Sequence, residues 1–116
     1  MTLPNILAVL LATIFGASGL MKVLALPPAR KLAAEVEYSV SSYRMIGLLE
    51  VAAALALTAA IFVLAPLGVL AALGLVMLMG AAVGTHLRNG DPVARVLPAA
   101  VLAALAGAYV MSAYAM

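Results

Sequence analysis

A single glutamate lies within a strongly apolar stretch of this sequence. Glu50 ends the segment Arg44-Met-Ile-Gly-Leu-Leu-Glu50, and a long run of almost exclusively apolar residues follows it. In a membrane-spanning helix, an ionised side chain at that depth costs several kcal/mol unless it is paired or neutralised. Intramembrane charges of this kind mark candidate functional sites. The first question is therefore which group Glu50 meets.

Other polar side chains lie near the ends of neighbouring apolar stretches. Ser18 and Lys22 are four residues apart, so they share one face of a helix. Arg44 and Glu50 lie about 120° apart around a helix axis, so a third group joins them more readily than a direct contact does. The candidate ligand-binding residues are Ser18, Lys22, Arg44, Glu50, His86 and Arg88.

The composition indicates which elements must position these residues. Of 116 residues, 68% are hydrophobic and 9% are charged. A soluble domain of this size cannot bury so much apolar surface, whereas a bilayer can cover it. Because each span needs ~20 apolar residues, the sequence predicts an all-α integral membrane four-helix bundle. We expect one transmembrane domain over 1–116, with helices at about 5–26, 43–64, 67–86 and 96–114.

Prolines, glycines and small residues give the expected boundaries and contacts. Pro27-Pro28 is expected to end the first helix, Ala65-Pro66 to form a tight turn, and Pro98 to lie in the first turn of the fourth helix. Between the first two spans, charged residues alternate with apolar ones, which predicts a short amphipathic helix at the membrane interface. Small residues around Gly16 and Gly19, and from Gly80 to Gly84, favour close helix contacts.

The distribution of charge predicts the orientation. Every Lys and Arg lies within or beside the two connections, at 22–44 and 88–95. By the positive-inside rule, loops 27–42 and 87–95 face the cytoplasm and both termini lie outside, in an inner (plasma) membrane. The dispersed basic residues form no patch for nucleic acid. With no Cys and one His, neither a disulfide, a thiol relay nor a metal site is expected.

The candidate residues concentrate in one leaflet, which suggests a polar pocket. Glu50 lies about 10–12 Å below its helix end. The most economical arrangement pairs it with Lys22, with Arg44 and His86 nearby, because an opposite charge keeps a carboxylate ionised. Histidine exchanges protons near neutral pH. Such a cluster suits the head of a quinone or another amphiphile whose tail lies among the helices.

Each residue also has a structural interpretation. Lys22 and Arg44 can extend to the lipid phosphates, and Arg88 and Arg95 can serve only to set the orientation. His86 can interact with the carbonyls at a helix end. Glu50 can pair with Lys22 merely to fix two helices. The sequence alone leaves these alternatives open.

Three segments resemble the DoxX-like family of small four-helix membrane proteins. They are Phe15-Gly-Ala-Ser-Gly-Leu-Met-Lys22, Tyr43-Arg-Met-Ile-Gly-Leu-Leu-Glu50 and His86-Leu-Arg-Asn-Gly-Asp91. The resemblance extends over nearly the whole chain. It implies a four-helix bundle whose recurrent polar positions match Lys22, Glu50 and His86. Similar proteins have been linked to quinone-reducing and redox-defence oxidoreductase assemblies, and others that look related act as assembly factors for membrane proteins.

The leading hypothesis is a redox-associated subunit that binds a quinone-like lipophile. Glu50 and His86 would then manage protons, and Lys22 would orient a carbonyl, so these three are the candidate catalytic residues. With no Cys in the chain, a redox role needs a quinone, a bound cofactor or a partner's thiols. The alternatives are an assembly factor for another membrane protein and a carrier of a hydrophobic solute. Four short helices are few for a carrier, so that function would need a homo-oligomer.

Overall fold

The computed structural model describes residues 2–63 and 65–115. These residues form five helices: α1 (Leu3–Val23), α2 (Pro27–Glu35), α3 (Val40–Phe62), α4 (Ala65–Arg88) and α5 (Val93–Ala115). The four long helices of this part of the chain are long and apolar enough to cross a bilayer. The predicted all-α membrane bundle is therefore confirmed. The predicted end of the second span at Leu64 lies outside the described residues.

The four long helices form a ring in which neighbours run antiparallel. The most extensive contacts are those of α1 with α3, of α4 with α5 and of α3 with α4, whereas α1 and α5 touch less closely. The inward side chains include Leu11, Phe15, Leu57 and Leu75, which are almost fully buried. Many outward side chains are large and apolar, for example Leu55, Phe62 and Met77. This exterior suits lipid tails rather than water.

One end of the bundle carries all six Lys and Arg residues, and we call it the basic end. There α1 and α4 end, α3 and α5 begin, and α2 crosses between them. Helix α2 is the amphipathic helix predicted between the first two spans. It buries Ala29 and Ala33 against the bundle and exposes Arg30 and Lys31.

The sequence suggested that Pro27-Pro28 ends the first helix, but the structure contradicts this. Helix α1 ends at Val23, and Leu26 donates back to the Met21 carbonyl at 3.0 Å while Ala25 has a left-handed φ of 52°. These hydrogen bonds close α1 without a proline. The two prolines instead occupy the first turn of α2, where the missing N–H is not needed.

Two further proline predictions need correction. Ala65 and Pro66 are not a separate turn, because they begin α4. Pro98 lies inside α5 rather than in its first turn, because α5 already begins at Val93, directly after Pro92. A proline has no backbone N–H, so the Ala94 carbonyl loses its usual helical donor.

The two groups of small residues that predicted helix contacts, near Gly19 and from Gly80 to Gly84, behave differently. A Cβ on Gly19 would lie 2.8 Å from the Gly47 carbonyl oxygen, and a Cβ on Gly47 would lie 2.7 Å from that of Gly19. The backbones of α1 and α3 therefore meet at this point, as the small residues near Gly19 predicted. A Cβ on Gly80 or Gly84 would meet nothing within 4 Å. The contact predicted for that pair is absent among the described residues, because this face of α4 points away from its neighbours.

Candidate functional site

The close approach of α1 and α3 brings Lys22 and Glu50 together. Each lies three residues beyond a contact glycine, Gly19 or Gly47, and therefore nearly one turn along its helix. The Lys22 ammonium donates a hydrogen bond to Glu50 Oε1, which gives the ion pair that the sequence suggested. The Glu50 side chain is 1% exposed and that of Lys22 is 14% exposed. Glu50 is thus buried in the bundle, and Lys22 approaches it from the basic end.

The ring of Tyr43 also contacts Lys22, and Tyr38 packs against that ring. The Lys22 ammonium lies 5.0 Å from the centroid of the Tyr43 ring, within range of a cation–π interaction. Tyr38 meets Tyr43 edge to face, with ring centroids 6.3 Å apart. The Tyr38 and Thr85 hydroxyl oxygens are 3.1 Å apart, and Thr85 donates to the Ala81 carbonyl, so Tyr38 is the donor of the pair. This chain of contacts links α4 to the ion pair.

His86 has a carboxylate partner of its own. Its Nδ1 lies 2.7 Å from Asp91 Oδ2, and both side chains are largely buried. Asp91 reaches this position because Gly90 adopts a left-handed φ of 69°, and because Asp91 donates its backbone N–H to the His86 carbonyl. The contact leaves Nε2 as the second ring nitrogen for a ligand or a proton.

A cavity of about 460 Å³ opens beside these groups. Its wall is mainly apolar, with side chains such as Phe15, Met79 and Leu102. All five helices contribute to it, and α2 covers its basic end. The polar and charged residues of its lining are Ser18, Lys22, Glu35, Tyr43, Glu50, His86 and Arg95.

A second ion pair lies on the cavity wall nearer to solvent. Arg95 of α5 places a guanidinium nitrogen 3.0 Å from Glu35 Oε2 at the end of α2. The side chains of Arg95 and Glu35 are 41% and 27% exposed, so they are far wetter than Lys22 and Glu50. This contact ties α2 to α5 across the region where α1 and α5 are less closely packed.

The structure brings together four of the six residues that the sequence selected. Ser18, Lys22, Glu50 and His86 line the cavity, whereas Arg44 and Arg88 are exposed and lie outside its lining. The helix geometry gives the reason. Arg44 is about 120° from Glu50, and Arg88 is about 160° from His86, so both point away from the cavity.

Four residues of the site were not selected from the sequence. Tyr43 had a detectable signal, since it lies seven residues before Glu50 and therefore on the same helix face. Asp91 follows His86 by five residues, and this spacing brings the two side chains together only because the chain turns at Gly90. For Glu35 and Arg95 the sequence offers no signal, because 60 positions separate them. Among the described residues, no group of three His, Cys, Asp or Glu side chains is placed to hold a metal ion.

Fold and site together define an integral membrane four-helix bundle with a buried Lys–Glu pair beside a partly open cavity. The sequence profile of the DoxX-like family matches residues 6–108. The chain therefore belongs to the DoxX-like family, as the three segments indicated. Comparisons with curated proteins and with solved structures gave no significant match.

Proposed function

We propose that this protein binds a small lipophile with a polar head, of the quinone type, as a redox-associated component of its membrane. The observation that carries the proposal is the Lys22–Glu50 pair on the wall of a mainly apolar cavity of about 460 Å³. Cavities of ~300–1,000 Å³ with a few convergent polar groups are typical of small-molecule sites. The apolar wall suits a ring or a tail, and the polar cluster suits the head.

The proposed roles follow from the free hydrogen-bonding capacity of each group. An ammonium has three N–H donors, so Lys22 can hold Glu50 and still donate to a ligand carbonyl. His86 can offer Nε2 to the ligand while Asp91 stabilises the charge that the ring gains on accepting a proton. Glu50 keeps Lys22 in place and is the second candidate proton carrier.

Reduction of a quinone to a quinol requires two electrons and two protons. The protons can travel through His86 and Glu50, but the chain has no Cys to carry electrons. The proposal therefore includes a redox-enzyme partner, or a cofactor bound with it, as electron donor. Binding of the lipophile is the part that this chain performs by itself.

Mass spectrometry of co-purified lipophiles tests this proposal. We would extract wild type, Glu50→Gln and the exposed control Arg44→Gln in mild detergent and identify the small lipophiles that each retains. Wild type and Arg44→Gln should carry the same defined species, and Glu50→Gln should lose it. Ala94→Phe fills the cavity from an exposed position and should lose it too, which covers the case that Glu50→Gln fails to fold. Bulk phospholipid alone in folded wild type contradicts the proposal.

A second candidate function is non-enzymatic binding of another membrane protein or of a second copy of this chain. The observation that favours it is the open face of α4, where a Cβ on Gly80 or Gly84 meets nothing within 4 Å. Small residues on a lipid-facing surface allow a partner helix to approach closely. Gly80→Leu should then abolish crosslinking to the partner while lipophile retention stays unchanged.

We also propose that the basic end faces the cytoplasm of an inner membrane, with both chain termini on the other side. The support is the distribution of charge, since the opposite end of the bundle carries no Lys or Arg. In this orientation the cavity, the two ion pairs and α2 lie in the cytoplasmic leaflet. A soluble redox partner would reach the site from that side.

A further inference from the structure

The charged groups of the cavity wall balance one another. In the part of the chain that the structure describes, the lining contains two Lys or Arg side chains, Lys22 and Arg95, and two carboxylates, Glu50 and Glu35. Each basic group is paired with one carboxylate. The His86 ring is likewise held by a carboxylate, that of Asp91. The lining therefore offers hydrogen bonds but no uncompensated charge of either sign.

The charge of a bound head group has a direct consequence in such a site. A carboxylate or phosphate head would compete with Glu35 for Arg95, or with Glu50 for Lys22, and would add a negative charge that no group of the lining balances. An ammonium head would likewise compete with the basic groups and add a positive charge that the lining does not balance. An added charge without a counter-charge is unfavourable beside the apolar walls of the cavity, whereas an uncharged head disturbs neither pair.

Uncharged heads still find hydrogen-bonding partners in the cavity. The remaining N–H groups of Lys22 can donate, and the hydroxyl groups of Ser18 and Tyr43 can donate or accept. Near one wall, Pro98 leaves the Ala94 carbonyl without its helical donor, and both residues belong to the lining. A carbonyl, hydroxyl or phenol head matches this set.

We propose that the cavity selects lipophiles with an uncharged hydrogen-bonding head, and that the Glu35–Arg95 pair is the determinant of this charge selectivity. The inference rests on the proposed lipophile binding and specifies its ligand class. We assign the charge selectivity to Glu35–Arg95 because it is the more exposed of the two ion pairs. It can also be opened without disrupting the α1–α3 contact. Each side chain of this pair neutralises the charge of the other, which would otherwise attract a ligand of opposite charge.

Three probes with the same tail and different heads test the selectivity. They are para-nonylphenol, which is neutral, para-nonylbenzoate, which is anionic, and para-nonylbenzylammonium, which is cationic at neutral pH. Binding to purified protein in a neutral mild detergent is measured by native mass spectrometry. The proteins are wild type, Glu35→Gln, Arg95→Gln and the matched control Glu37→Gln, whose exposed carboxylate lies two residues from Glu35. Comparing proteins with the same probe removes the effect of partition into micelles.

The two pair variants are expected to change selectivity in opposite directions. Wild type should bind the phenol at least about tenfold more tightly than either ion. Glu35→Gln frees Arg95 and should improve benzoate binding about tenfold, while Arg95→Gln frees Glu35 and should improve benzylammonium binding about tenfold. In both variants the binding of the phenol should change less than the binding of the favoured ion, and Glu37→Gln should behave as wild type.

The outcomes separate this inference from the proposed function. If wild type binds the phenol but the two variants change all three probes equally, or none, the pair is merely structural and the selectivity inference fails while lipophile binding stands. Equal binding of all three probes by wild type also contradicts the selectivity inference and leaves lipophile binding intact. If folded wild type binds none of them and retains no native lipophile, the proposed function itself fails.

Discussion

Lys22 and Glu50 form one ion pair but differ in burial. Glu50 is nearly inaccessible, whereas Lys22 keeps 14% of its side chain exposed toward the basic end. A lysine that loses its partner can turn its ammonium toward water along its flexible stem. A buried carboxylate that loses its partner cannot. Removal of the lysine should therefore be the more damaging change.

The first prediction compares Lys22→Met with Glu50→Gln. Lys22→Met should lower the free energy of unfolding by about 3–5 kcal/mol, as expected when one member of a buried pair is left behind. Glu50→Gln should cost less, about 1–3 kcal/mol, since the amide still accepts a hydrogen bond from Lys22. Unfolding in mixed detergent micelles, followed by circular dichroism, measures both values.

Arg44→Gln is the control, because Arg44 is exposed at the same end of the bundle and should change stability little. The double variant Lys22→Glu/Glu50→Lys tests direct pairing. It should recover part of the loss seen in either single charge reversal. Equal losses for Lys22→Met and Arg44→Gln, or no recovery in the double variant, contradict the assignment.

The contact of α1 with α3 decides where the ion pair forms. Its closest point is Gly19 against Gly47, where backbone atoms of one helix leave no room for a side chain on the other. Each charged residue follows its glycine by three positions. Any separation of the two helices here therefore also separates Lys22 from Glu50.

The second prediction concerns Gly19→Ala. The added Cβ would lie 2.8 Å from the Gly47 carbonyl oxygen and 3.0 Å from the Val51 backbone nitrogen, so the backbone must move. We expect a loss of about 1–3 kcal/mol in stability, as in other overpacked cores, together with loss of the co-purified lipophile. Thermal unfolding in detergent and mass spectrometry give the two readouts.

Two alanine substitutions serve as matched controls for Gly19→Ala. Gly16→Ala lies on the same helix but meets only the Ala54 Cβ, at an ordinary 3.7 Å, and Gly80→Ala meets nothing within 4 Å. Both should leave stability unchanged or raise it, because alanine favours helix over glycine by about 0.5–1 kcal/mol. A similar loss in all three variants shows that close approach is not the cause.

The third prediction concerns the turn between α4 and α5. Gly90 has a φ of 69°, which costs other residues about 1–2 kcal/mol, and it positions Asp91 on His86. Gly90→Ala should lower stability by about this amount and weaken lipophile retention. Gly84→Ala, in the helix just before the turn and facing open space, is the control. Unchanged stability and retention in Gly90→Ala would show that the turn does not position the site.

At the scale of the whole molecule, all basic residues lie at one end of an antiparallel ring of helices. The fourth prediction tests the orientation that we propose. The chain has no Cys, so a single introduced cysteine is the sole thiol. In intact cells a membrane-impermeant maleimide should label Thr2→Cys, at the opposite end, but not Asn89→Cys, at the basic end. Both positions are exposed.

Asn89→Cys should become labelled once the membrane is opened, which controls for reactivity. The reverse pattern in intact cells overturns the orientation. Labelling of about half of each population shows that the chain inserts both ways, which would make the charge distribution a weaker determinant than the positive-inside rule implies.

The sequence determined the class of protein and the starting point of the site. Hydropathy predicts the four spans, and the spacing of charges predicts the amphipathic helix between the first two. Short segments indicate the family. Each of these is a local property of the chain. Glu50 could be selected for the same reason, since a carboxylate in an apolar run is visible without any knowledge of packing.

The tertiary structure decided which side chains share the site. The Gly19–Gly47 contact fixes the rotation of α1 against α3, and that rotation brings Lys22 to Glu50 and leaves Arg44 outside. Glu35 meets Arg95 only because α2 crosses to α5. The physical reason is that hydropathy sets whether a helix spans the bilayer, but not its rotation about its own axis or its exact end. Those are set by backbone contact between helices and by the turns that join them.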